Sequence, residues 1–111
     1  MDASVVYVTV GNRDEAAAIG RSLVETRLVA CANLLEGVTS IYRWEDAIHE
    51  DGETLLVMKT QTALVEDVVA RIRELHTYEC PCVVSWPIHA ANPDYLAWIE
   101  TETTEPTSER N

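Results

Sequence analysis

The sequence predicts an α+β fold: a ferredoxin-like βαββαβ sandwich with a long hairpin between its second and third strands and a helix at its C-terminus. Three observations lead there. Residues 4–10, "SVVYVTV", are almost all β-branched or aromatic, as in a strand buried on both faces. Two stretches with apolar residues at helical spacing are separated by two successive extended segments. A third helical stretch opens at Asn92-Pro93, after a last apolar run. Right-handed crossovers fold this order into a four-stranded antiparallel sheet with two helices on one face, strands one and three central and strands two and four at the edges.

Each element has its own signature. Gly11 and Asn12 end the first strand, and Asn12 suits the cap of a helix whose face is Ala16, Ile19, Gly20, Leu23 and Val24. Asp14 and Glu15 suit the positive end of its dipole. The second strand begins near Val29, bends or bulges at Glu36-Gly37, and continues through "VTSIYRWE" with Ser40, Tyr42 and Trp44 on one face and Thr39, Ile41 and Arg43 on the other. The polar run 46–52, "DAIHEDG", reads as the hairpin turn, with the third strand over 53–60. The second helix is expected over 62–75, capped by Thr62, with Leu64, Val65, Val68, Val69, Ile72 and Leu75 as its apolar stripe. "CVVSWPI", 82–88, is the fourth strand, with Pro81 suiting the start of an edge strand. The helix from Pro93 runs through "DYLAWIE". Residues 1–100 form one domain, and 101–111, "TETTEPTSERN", an acidic polar tail expected to be disordered.

Composition narrows the function classes. A chain of 111 residues with 47% hydrophobic residues packs a core without disulfides or a structural metal. No apolar run is as long as a membrane span, and "MDASVVYVTV" has no basic region before its apolar run, so it reads as a strand and not a signal peptide. With three cysteines, Cys31, Cys80 and Cys82, an odd count, a cytoplasmic, reducing setting is expected. The formal net charge of −11 repels nucleic acid and anionic membranes, so neither is an expected partner. Seven arginines accompany one lysine, Lys59. Two readings of this balance stand: adaptation to a salty cytoplasm, or a charge that only keeps the chain soluble.

The hairpin has a further consequence. Nine extended residues, 38–46, reach about 30 Å at roughly 3.3 Å each, beyond anything two helices cover. An arm carrying Tyr42 and Trp44 predicts self-association.

Five segments in order, "ACANLL" (30–35), "TSIYRWED" (39–46), "MKTQ" (58–61), "HTYECP" (76–81) and "DYLAWI" (94–99), resemble the CutA family of divalent-cation tolerance proteins. The resemblance covers about residues 4–100. It implies a ferredoxin-like fold and a tight homotrimer, built somewhat like the PII-type signalling proteins, whose long hairpins wrap neighbouring subunits. It also implies binding of Cu²⁺ or another divalent cation in the response to metal ions. Four positions depart from the family's usual pattern: Thr77 replaces a proline, Asp46 a glycine, Leu75 a second histidine, and no cysteine stands near Val8 and Thr9. Copper ligation therefore carries over through His76, with Cys31 as the other candidate.

Other readings are kept beside this one. His76 also suits the carbonyl end of a helix as a plain structural residue. Cys80 and Cys82 either bridge a soft ion such as Cu(I) or simply pack; on one strand they would be roughly 6–7 Å apart, too far for a relaxed disulfide. Tyr42, Trp44, Glu53, Lys59, Tyr78, Glu79 and Trp98 are the candidates for the walls of an inter-subunit cleft. Lys59 and Arg43 in that cleft would suit a PII-like sensor of a small anion, and a structural or anchoring trimer without a small ligand is the third reading. Nothing resembles an activated nucleophile or a phosphate loop, so no enzyme is expected.

Overall fold

The computed structural model describes residues 1–105. Strand β1 (Ala3–Val10) leads through Asn12 into helix α1 (Arg13–Glu25), and β2 (Cys31–Trp44) and β3 (Ala47–Gln61) follow as a hairpin. A 3₁₀ turn (Thr62–Leu64) opens α2 (Val65–Leu75); β4 (Val83–Pro87) and α3 (Pro93–Glu102) complete the order. All strand pairs are antiparallel in the order β2-β3-β1-β4, with β1 and β3 central as expected.

The core lies between one sheet face and helices α1 and α2. Val6, Val8 and Val10 from β1 and Leu56 and Met58 from β3 meet Ile19 and Leu23 of α1 and Val68 and Ile72 of α2. Burying side chains of this size is worth about 1.5–3 kcal/mol each. Asn12 caps α1 as anticipated: its Oδ1 accepts from the Glu15 N–H at 2.8 Å. Asn92 does the same for α3, accepting from the Asp94 N–H at 3.0 Å. The bulge falls between Leu35 and Val38, where Gly37 takes φ 79°.

The hairpin is longer than its sequence suggests. Residues 47–52 are not the turn but the start of β3; the turn is the two residues Glu45 and Asp46, with Trp44 paired to Ala47. Both turn residues have positive φ, 50° and 63°, the geometry of a type I′ hairpin, reached here without glycine. The polar 47–52 stretch lacks apolar alternation because this arm runs past the helices and has no core of its own to face. Ile41 is 68% exposed on one side of the arm, and Tyr42 and Trp44 are exposed on the other.

Three more expectations are corrected. Thr62 does not cap α2: its Oγ1 bonds Ser4 Oγ at 2.8 Å, and the helix opens through the 3₁₀ turn. Cys80 and Cys82 are not on the fourth strand, which begins at Val83, and both are exposed. The C-terminal segment is not a tail from residue 101, because Thr101 and Glu102 complete α3. Thr103 is buried and its Oγ1 accepts from Gln61 Nε2 at 2.8 Å. Residues 106–111 of the expected tail lie outside the described residues.

The second sheet face stays open above α3. Val84 and Trp86 of β4 stand opposite Tyr7 and Val5 of β1, and the Tyr7 and Trp86 rings lie 6.0 Å apart. Leu35, on the same face of β2, is 59% exposed. None of the helices of the described residues is long and apolar enough to cross a membrane.

Candidate functional site

Where the arm leaves the body of the sheet, it and the 78–82 segment enclose an open groove of about 730 Å³. The arm supplies Ser40, Tyr42, Trp44, Asp51, Gly52 and Glu53; the segment before β4 supplies Tyr78, Glu79, Cys80 and Cys82. Cross-strand pairing accounts for the arm's wall: Ser40 stands opposite Asp51, Tyr42 opposite His49 and Val38 opposite Glu53, so these side chains share one face. The Tyr42 and His49 rings stack at 5.4 Å.

Two phenols hold two carboxylates in place. Tyr42 donates its hydroxyl to Asp51 Oδ2, and Tyr78 donates to Glu53 Oε2 at 2.9 Å. The hydrogen bond to Asp51 raises the pKa of Tyr42 above the ordinary phenol range, with burial adding to it. For Tyr78, burial is the larger cause and the bond to Glu53 the second. Tyr78 also lies over Gly11: a Cβ there would sit 3.3 Å from its hydroxyl oxygen, so any side chain at this position would make the ring give by a few tenths of an ångström.

His76 anchors this wall from behind. Its side chain is 0% exposed. Its Nε2–H donates to the Thr9 carbonyl at 2.8 Å, and its Nδ1 accepts the Tyr78 N–H at 3.1 Å. Both ring nitrogens are therefore used within the chain, which leaves no lone pair directed at a metal. The expected ligand role for His76 does not fit this geometry; it ties the end of α2 to β1 and sets Tyr78. Thr77 extends the clasp: its N–H and hydroxyl both donate to Glu15 Oε2, at 3.1 and 2.8 Å. A proline at position 77 offers neither donor.

The remaining expected site residues lie elsewhere. Cys31, at the start of β2, has its Sγ 3.5 Å from the Tyr95 hydroxyl, and Tyr95 stacks on Trp98 along α3. The bond with Cys31, then burial, push the Tyr95 phenol up to about 12 from 10.0. Because the folded state favours the neutral phenol, this contribution to stability is present below pH 10 and lost as pH rises through about 12. An absorbance titration of tyrosinate is expected to show a component near pH 12 that Tyr95→Phe removes. Lys59 stands opposite Cys31 and donates to Asn33 Oδ1 at 2.7 Å; it does not line the groove.

So Tyr42, Trp44, Glu53, Tyr78 and Glu79 come together as one wall set, while Cys31, Lys59 and Trp98 form a second neighbourhood beside α3. Sequence reasoning missed Thr9, Gly11, Ser40, Asp51 and Gly52 as groove residues. Asp51 was legible only with the turn placed at Glu45-Asp46, since that register sets it beside Ser40. Among the described residues, no three His, Cys, Asp or Glu side chains are gathered closely enough to hold a metal within one chain.

Comparison with known proteins fits this geometry into a family. The family described as CutA1 divalent ion tolerance protein matches residues 4–102. Protein CutA of Mus musculus is 42% identical over 100 residues, 90% of this chain and 56% of that protein, so the chain spans little more than half of that relative. The divalent-cation tolerance protein CutA of Thermus thermophilus is 42% identical over 99 residues, 89% of this chain and 96% of that protein. The crystal structure of CutA1 from Oryza sativa superimposes with a TM-score of 0.92 at 34% identity, covering 95% of this chain and 96% of that one. With strand order, bulge and groove in hand, the match over nearly the whole fold leads to one assignment: the chain belongs to the CutA1 divalent ion tolerance protein family.

Proposed function

We propose that this chain is a divalent-cation-binding protein of the metal-ion response, acting as a homotrimer and not as a catalyst, with copper or a similar ion held in the groove at the root of the arm. The lining of that groove carries the reading: Asp51, Glu53, Glu79, Cys80 and Cys82 face it, and no lysine or arginine is among the described residues that line it. Such walls attract cations and repel anions. An anionic ligand would need Lys59 or Arg43 there, and neither lines the groove. Divalent ions ask for four or more donors. One chain does not gather them, so the coordination is completed where copies meet, which also covers the apolar arm and the open sheet face. A reducing, cytoplasmic setting suits three free cysteines, two of them exposed.

Calorimetric titration with Cu²⁺ and with Zn²⁺ tests this. The double variant Glu53→Gln, Glu79→Gln is expected to bind at least one of these ions about tenfold more weakly than the parent, a loss of about 1.4 kcal/mol. Binding that is equal in the two proteins for both ions overturns the groove as the site.

A further inference from the structure

We infer that Glu15, His76 and Tyr78 form a pH-sensitive latch: a neutral imidazole fastens Tyr78 into the groove wall, and a cationic one releases it. Such a latch acts on the wall itself, whichever ligand the groove takes. The two bonds of the ring fix its form. Nε2 lies 2.8 Å from the Thr9 carbonyl, which can only accept, so Nε2 carries the proton. Nδ1 lies 3.1 Å from the Tyr78 backbone nitrogen, whose N–H can only donate, so Nδ1 is bare. A second proton can enter only at Nδ1. There it turns an acceptor into a donor that faces another donor, and the bond from the Tyr78 N–H is lost. A carboxylate already stands ready for that proton, with Glu15 Oε2 3.7 Å from Nδ1. The His76 side chain is 0% exposed and that of Glu15 16%, so solvent ions screen the pair little. One atom, Nδ1, thus serves either Tyr78 or Glu15, and never both. The latch is complete within one chain: its groups are in place whether or not copies meet at the groove.

Each element packed on the ring contributes differently. From β1 comes the uncharged Thr9 carbonyl, and from α1 the Glu15 carboxylate. The segment after α2 brings the Tyr78 ring, 4.5 Å from the imidazole between centroids. Strand β3 acts through Glu53, which accepts from the Tyr78 hydroxyl at 2.9 Å. On the last turn of α2 itself, Arg73 is exposed and Arg71 pairs with Glu74 at 3.6 Å. Burial, then the bond to Glu53, raise the Tyr78 phenol above the ordinary range, so it stays neutral where an imidazole changes charge. Glu15 also holds Thr77, accepting from its N–H at 3.1 Å and its hydroxyl at 2.8 Å. When this carboxylate turns to the cation, its hold on Thr77 loosens, and residues 77 and 78 are let go together. Tyr78 lines the groove and carries the bond to Glu53, so release at Nδ1 reaches the groove wall.

Heteronuclear magnetic resonance of the full chain, titrated from about pH 8 to about pH 5, tests the latch. At the upper end the His76 ring is expected as the neutral Nε2–H tautomer, with the Tyr78 amide protected from exchange. As the ring gains its second proton, the Tyr78 amide signal moves along the same curve and its protection falls about tenfold. Glu15→Gln keeps an acceptor for Thr77 but removes the charge, and is expected to move the shared curve about one unit to lower pH. In His76→Gln the Tyr78 amide no longer follows pH over this range. Circular dichroism establishes that each variant is folded. A ring that stays neutral throughout, an amide that ignores the ring's titration, or a curve unmoved by the loss of the Glu15 charge overturns the latch. Should a variant unfold, the parent titration alone decides, because the ring and the amide must change together in it.

Discussion

Replacing His76 by alanine is expected to lower the unfolding free energy by about 3 kcal/mol while leaving divalent-cation affinity within twofold of the parent. The side chain is wholly enclosed and spends both nitrogens on backbone groups, the Thr9 carbonyl and the Tyr78 N–H. Its loss leaves a part-buried carbonyl without this donor and a cavity beneath the groove wall. Urea denaturation at fixed protomer concentration measures the first effect, since the apparent stability of any protein that assembles depends on concentration. Calorimetry measures the second. A metal ligand would behave in the opposite way: its removal would abolish binding and cost little stability. That reverse pattern would restore His76 as a ligand.

The second large effect concerns assembly. Trp86 is 46% exposed on the open sheet face, beside Tyr7 and on the same face as Val84 and Leu35. In an assembled protein such an aromatic would be an anchor of the interface, and a carboxylate in its place would be buried without a partner. Trp86→Asp is therefore expected to weaken subunit association by about 4 kcal/mol, roughly a thousandfold. The chain itself should stay folded, because Trp86 contributes nothing to the core between sheet and helices. Size-exclusion chromatography over a dilution series reads the first outcome and far-ultraviolet dichroism the second. An unchanged assembly would remove the open face from the interface.

Much of this architecture was legible wherever a residue's local chemistry and its burial agree. The β-branched run of β1, the caps Asn12 and Asn92, the bulge at Gly37 and the strand order all follow from such residues. The failures share a physical cause. Residues 47–52 pair as a strand whose two faces both lack a core, so no alternation announces it, and the turn Glu45-Asp46 takes positive φ without the glycine that usually signals it. Thr62 has the residue type of a cap, but its hydroxyl bonds that of Ser4, 58 residues away. Thr103 is buried and accepts a hydrogen bond from Gln61, a long-range contact that local polarity cannot reveal. At the site, Tyr42, Trp44, Glu53, Tyr78 and Glu79 were recognised by type and do converge. Lys59 and Trp98 share the residue types of that set, but Lys59 bonds Asn33 and Trp98 stacks on Tyr95, three residues before it on α3. His76 shows the same limit: its residue type suggests a ligand, and only the positions of the Thr9 carbonyl and the Tyr78 N–H reveal that its nitrogens are engaged.

Sedimentation equilibrium of the full chain at micromolar concentration bears most directly on whether the arm and the groove are completed by neighbouring copies. A particle of three times the 12.4 kDa protomer mass is the predicted result. A stable, freely soluble protomer of 12.4 kDa that binds divalent ions as well as any larger species would contradict it.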